Sequence, residues 1–333
     1  MRNRLTVFVV ILLLLPWVVK SAWAQGSGVI EGQVFDGSGD GAPLEGLPVT
    51  LTVFSGAESE SSFETTTDQE GWFRFEGLER EGYAYRFEVE YAGVQYPSEE
   101  MAFPEGESLI SIPFTVFEST TSDENLSVQR AHVIFDFEPG IIRVREIQIF
   151  FNAGKATYVG PTGEEGEETV QFALPEDTTS VQLVEGLMEC CVIETDTGFA
   201  STLPIFPGSK QFVFNYELRP QTRAYDLTRR VVHPTEYLDV LVADVGVQVT
   251  ADGLTGGESL SLQGGNYLHL AGENLSADED IALHFANLPL ETAPAQPPGN
   301  GTPVFTWIVM GVVIAGVGAA LAYPLLQRSE ETS

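Results

Sequence analysis

Between Gly28 and Pro289 apolar and polar positions alternate with a period of two in one short segment after another, and no long segment has helical periodicity. Tyr85, Phe87, Val89 and Tyr91 alternate with Arg86, Glu88 and Glu90. Ile110, Ile112, Phe114 and Val116 alternate with Ser111, Pro113 and Thr115. Ile147, Ile149 and Phe151 alternate with Glu146, Gln148 and Phe150, and Phe212, Phe214, Tyr216 and Leu218 with Val213, Asn215 and Glu217. Successive side chains of a strand point to opposite faces, so the pattern predicts strands with one face on a core and one in water. Gly, Pro, Asp and Ser separate the segments, as turns require. The expected fold class is all-β, built as tandem β-sandwich domains.

Two continuous apolar runs break this pattern, one at each end. Arg2 and Arg4 precede an apolar stretch from Leu5 to Val19, and Ala22-Trp23-Ala24 supplies the small residues that a signal peptidase reads. A cleaved signal peptide over residues 1–24 is expected. Val304 to Leu326 holds 23 residues without a charge. That length spans a hydrocarbon core of about 30 Å, so one C-terminal transmembrane helix is expected over residues 304–326. Arg328 follows it, and no Lys or Arg lies between residues 285 and 303, which places the tail (327–333) in the cytoplasm and the rest outside. Gly311, Ala315, Gly318, Ala319 and Ala322 form a small-residue face on which another helix could pack. Residues 291–303 are rich in Pro and Gly and read as a stalk.

The β region divides into a first sandwich at 28–117, a second at 124–220 after a polar linker, and a third β-rich block at 221–290. The pattern leaves open whether the last two are one unit. The first block carries an ordered set of motifs. It opens on Gly28-Val-Ile-Glu-Gly-Gln-Val-Phe-Asp36 and continues with Pro43-Leu-Glu-Gly-Leu-Pro-Val-Thr-Leu51. Thr65-Thr-Thr-Asp-Gln-Glu-Gly-Trp-Phe-Arg-Phe75 follows, with Asp68 placed to bond a turn and Gly71 to take a positive φ. In this order the motifs resemble the carboxypeptidase regulatory-like domain, a small prealbumin-like sandwich, over about 90 of the 333 residues. The resemblance implies an accessory module. Its grouping with carbohydrate-binding-like sandwiches makes Trp72, Tyr83, Tyr85 and Tyr96 candidate glycan-facing aromatics.

Charge narrows the partners. The chain has 16 basic against 48 acidic residues, a net charge of −32. Such an acidic protein repels phosphate backbones, which excludes nucleic acid as a natural partner, and it attracts basic surfaces and cations. Asp36, Ser38 and Asp40 offer alternate oxygens with a Gly at the turn, a candidate calcium loop, although its twelfth position is Leu47 rather than Glu. The only two cysteines, Cys190 and Cys191, are adjacent and form neither a zinc pattern nor a disulfide framework; their redox state is left open.

Catalytic motifs are sparse. Gly26, Gly28 and Gly32 do not open a helix, so they do not make a nucleotide fingerprint. His233-Pro-Thr-Glu236 is an HxxE pair, whose third metal ligand would have to be His269 or His284. The expected function is a non-enzymatic, membrane-anchored, extracytoplasmic binding or scaffolding protein of the cell envelope, with no cofactor and another envelope protein as partner. The alternatives are a carbohydrate-binding surface module and a membrane-anchored metallo-hydrolase.

Overall fold

The computed structural model describes residues 28–163, 166–262 and 265–290. The expected signal peptide, stalk, transmembrane helix with its Gly311, Ala315, Gly318, Ala319 and Ala322 face, and tail lie outside the described residues. Among the described residues no helix is long and apolar enough to cross a membrane. The chain is all-β and divides into two compact units. Among the described residues, the first comprises 28–34, Leu44–Val89 and Pro97–Phe114, and the second Phe35–Pro43, Glu90–Tyr96 and 115–290.

Seven strands come first: β1 (Gly28–Asp36), β2 (Pro48–Ser55), β3 (Glu58–Thr66), β4 (Trp72–Leu78), β5 (Ala84–Tyr91), β6 (Val94–Pro97) and β7 (Leu109–Val116). They form two sheets, ordered β4-β1-β7 and β3-β2-β5-β6. The predicted alternation sets which side chains go inward. Ile30 and Val34, Val49 and Leu51, and Phe87 and Val89 are all fully buried. Phe87 of one sheet meets Phe73 and Phe114 of the other, each at 4.8 Å between ring centroids, so the two sheets share one core. The β3–β4 turn forms as the residues predict. Asp68 Oδ1 accepts from the Glu70 and Trp72 amides at 3.0 and 2.8 Å, and Gly71 takes φ 78°.

The remaining strands are β8 (Ser119–Thr120), β9 (Leu126–Glu138), β10 (Ile141–Asn152), β11 (Thr157–Tyr158), β12 (Thr162–Gly163), β13 (Gly166–Glu167), β14 (Val170–Ala173), β15 (Thr179–Glu185), β16 (Val192–Thr195), β17 (Gly198–Ser201), β18 (Gly208–Leu218), β19 (Ala224–Arg230), β20 (Thr235–Ala243), β21 (Gln248–Ala251), β22 (Thr255–Leu262), β23 (Gly265–Leu275) and β24 (Asp280–Ala286). Seven of them make one large sheet, ordered β15-β18-β10-β9-β20-β23-β22. Two three-stranded sheets, β14-β17-β16 and β19-β24-β21, contribute to the same core. The blocks at 124–220 and 221–290 share the large sheet, because β20 pairs in parallel with β9, Asp239 opposite His132.

Phe212, Phe214, Tyr216 and Leu218 all point into this core, as their alternation predicts. Phe150, Phe172, Phe199 and Phe214 stack around it at 5.0–6.0 Å. β10 departs from the expected one-sided burial. Ile147 is buried in a small apolar cluster with Ile134, Val213 and Leu241, while Phe150 faces the main core and Glu146 and Gln148 are buried as well. A central strand covered on both sides cannot keep a water-facing row. The charge of Glu146 is met by internal partners instead.

Candidate functional site

The proposed calcium loop is a set of self-satisfied turns. Asp36 Oδ1 accepts from the Ser38 amide at 2.8 Å, and Asp40 Oδ1 from the Ala42 amide at 3.3 Å. The Ser38 hydroxyl donates to the Lys155 carbonyl at 2.6 Å and accepts from the Glu118 amide at 2.7 Å. One carboxylate oxygen of each aspartate and the Ser38 hydroxyl thus have partners within the fold. Among the described residues no group of three or more His, Cys, Asp or Glu side chains is arranged to hold a metal ion.

The four aromatics do not form one exposed row. Tyr85 is buried and its hydroxyl donates to the Glu79 carbonyl at 2.5 Å. Tyr96 is buried too, with its hydroxyl donating to the Phe117 carbonyl at 2.6 Å and its ring stacked on Phe206. A phenol placed in a core needs such a partner, and both tyrosines have one. Neither presents a face to solvent, which corrects their assignment as glycan-facing. Trp72 is 38% exposed and stands on β4, whereas Tyr83 is half-buried at the entry to β5 in the other sheet.

Each histidine has its own engagement. His233 Nε2 accepts from the Gln171 amide at 3.1 Å, its ring lies edge-on to Phe150, and burial pushes its pKa down to about 4. Glu236 is exposed. His284 bonds Asp226 at 2.8 Å across β19 and β24. His269 bonds Asp239 on the large sheet, also at 2.8 Å. The HxxE pair therefore acquires no converging third ligand, and the metallo-hydrolase geometry is not assembled.

Two charge networks escape sequence reasoning. Asp239 collects Arg130 at 3.0 Å, His132 at 3.3 Å and His269 at 2.8 Å from the two neighbouring strands. The hydrogen bond from His132 is the largest influence; burial opposes it, and His269 and Arg130 add to it. The net result holds the carboxyl well below the usual range. Deep in the core, Glu146 accepts from Arg229 at 2.9 Å, from Gln148 at 2.9 Å and from the Tyr216 hydroxyl at 3.1 Å. Burial first, and then Glu146, push the Tyr216 phenol well above its ordinary value.

The second unit carries a groove of about 920 Å³. Leu183, Leu187, Val192 and Phe199 form its apolar lining, Val181 and Val184 stand on it 43% and 48% exposed, and Glu189 and Glu194 add carboxylates. It lies where β15 and β16, each the last strand of its sheet, leave the sandwich open. β15 is doubly irregular, with register shifts between Thr179 and Gln182 and between Leu183 and Glu185 and a positive φ at Ser180. β16 is regular, pairing Val192 to Thr195 with Ser201 to Gly198. Cys190 and Cys191 are free thiols on the 3-10 turn that leads into β16.

No protein-family model matches this chain, and no curated protein does. Among solved structures, the full-length major pilin SpaD from Corynebacterium diphtheriae is 11% identical, with 79% of this chain and 83% of that chain covered at a TM-score of 0.23. BcpA, the major pilin subunit of Bacillus cereus, is also 11% identical, covering 83% and 91% at a TM-score of 0.21. The major plantain pollen allergen is 15% identical and matches 28% of this chain and 94% of its own at a TM-score of 0.22. At these superposition scores the fold assignment rests on the strands of this chain alone.

Proposed function

We propose that the chain is a non-enzymatic binding or scaffolding protein of the cell envelope, tethered by its C-terminal apolar segment with both β units outside the cytoplasm. The observation that carries this reading is the open groove of the second unit. Its two bordering strands have no outer backbone partner among the described residues, and valines stand exposed along it. Unpaired edges and contiguous apolar surface are what protein–protein contacts use. The side chains able to do chemistry are, by contrast, tied into the fold: His233 to Gln171, Asp239 to Arg130, His132 and His269, and Glu146 to Arg229. The first unit, by its resemblance to the carboxypeptidase regulatory-like domain, acts as an accessory module.

The test is capture from native membranes with the full chain as bait. A reproducible envelope protein is expected, and its loss in the Val184→Glu variant ties it to the groove. Absence of any reproducible partner overturns the proposal. N-terminal sequencing of the mature protein checks the topology, with Gln25 expected as the first residue; an intact Met1 overturns the cleaved leader.

A further inference from the structure

We infer that the groove between β15 and β16 accepts an extended segment of another protein as an added strand on β16, and that this segment carries alternating apolar residues flanked by Lys or Arg. The inference rests on the proposed binding role and names the chemistry of the partner.

β16 is suited to accept a strand. Its four residues pair regularly with β17 on one side, and its other edge is free among the described residues. A free regular edge exposes N–H and C=O groups that a fifth, foreign strand satisfies. β15 is not suited. Its two register shifts interrupt the ladder, and an interrupted edge is a poor template for strand addition. β15 therefore acts as a wall: Val181 and Val184 remain uncovered and Leu183 stays half-buried. An incoming strand on β16 places every second side chain against that wall and against Phe199 and Leu187.

Charge selects the occupant. Glu194 pairs with Phe199 across β16 and β17, so it stands on the core-facing side of β16 rather than on the outer surface. Glu189 also lines the groove, and none of the described lining residues is Lys, Arg or His. A second copy of this chain, at −32, brings the wrong sign. A segment with basic flanks brings positive charge to these two carboxylates.

The experiment uses the full chain in detergent micelles and three dye-labelled peptides of about eleven residues. One alternates Val and Thr between paired lysines. A second replaces the lysines with glutamates. A third keeps the lysines and replaces the threonines with prolines, which cannot donate to a ladder. Anisotropy is expected to show saturable binding of the first, at least about tenfold weaker binding of the second, and no binding of the third up to about 1 mM. Val184→Glu, at an exposed position that leaves the core intact, weakens the first peptide by about tenfold or more, and Glu189→Gln with Glu194→Gln weakens it and flattens its salt dependence. A nitroxide on Cys190 in a Cys191→Ser background broadens the bound peptide's resonances. Equal binding of the proline peptide, or indifference to Val184→Glu, reduces the effect to charge adsorption and overturns the inference. No peptide binding while the full chain still captures an envelope partner overturns the added strand alone and leaves the proposed function standing.

Discussion

Arg229→Ala is the most informative single perturbation of the second unit. Glu146 is 1% exposed, and the Arg229 guanidinium is bonded to it at 2.9 Å. Removing the guanidinium takes away the ion-pair partner of the buried Glu146 carboxyl and leaves it the hydrogen bonds from Gln148 and the Tyr216 hydroxyl. Breaking a buried pair from one side costs about 3–5 kcal/mol, because the remaining charge keeps its desolvation penalty and loses its compensation. The intact pair is itself no large source of stability, since Arg229 Nε is buried without a hydrogen-bond partner. Replacing both residues together, as Glu146→Met with Arg229→Met, is therefore expected to land within about 1 kcal/mol of wild type or above it. The assay is urea unfolding of residues 25–290. At an m-value of about 2 kcal/mol/M, a loss of about 4 kcal/mol lowers the midpoint by about 2 M. Trp72 is the only tryptophan in that fragment and reports the first unit, so its fluorescence serves as an internal control while circular dichroism follows the second. A loss under about 1 kcal/mol for Arg229→Ala, or a double variant as unstable as the single one, refutes the reasoning.

Three further outcomes are expected. The pKa of His233 falls to about 4 on folding, so the unfolded chain binds the extra proton; stability is full above about pH 6.5 and declines by up to about 3 kcal/mol as the pH drops through 4. His233→Gln, which keeps an acceptor for the Gln171 amide and cannot titrate, should flatten that limb in pH-dependent melts. Asp239, held below its unfolded value, stabilises above about pH 4 and loses that contribution as the pH falls further, so Asp239→Asn should cost about 1–3 kcal/mol at pH 7 and soften the acid limb. Gly186→Ala should destabilise by about 2 kcal/mol or more in the same urea assay, because φ is 73° there and an added Cβ meets the Gln211 carbonyl oxygen at 2.2 Å.

The strand faces of the first unit, the buried row from Phe212 to Leu218 and the Asp68–Gly71 turn were legible in the sequence. Each is local: alternation and turn chemistry act within a few residues, and no distant partner is needed to read them. The aromatics were legible as a set but not by exposure, since Tyr85 and Tyr96 look no different from Trp72 until the partners of their hydroxyls are known.

Everything that depends on pairing between distant segments was decided by the tertiary structure. The parallel contact of β9 with β20 joins the blocks at 124–220 and 221–290 in one sheet, and no local signal announces it. Alternation in β10 separates Ile147 from Glu146 but does not say that both are buried, because the guanidinium that makes Glu146 tolerable inside stands 83 residues away. Asp239 gathers its partners from two neighbouring strands for the same reason. The groove exists because two sheets end side by side at β15 and β16 with nothing paired to either edge among the described residues. A sequence specifies what each strand can bury; only the order of strands in space leaves an edge free for another chain.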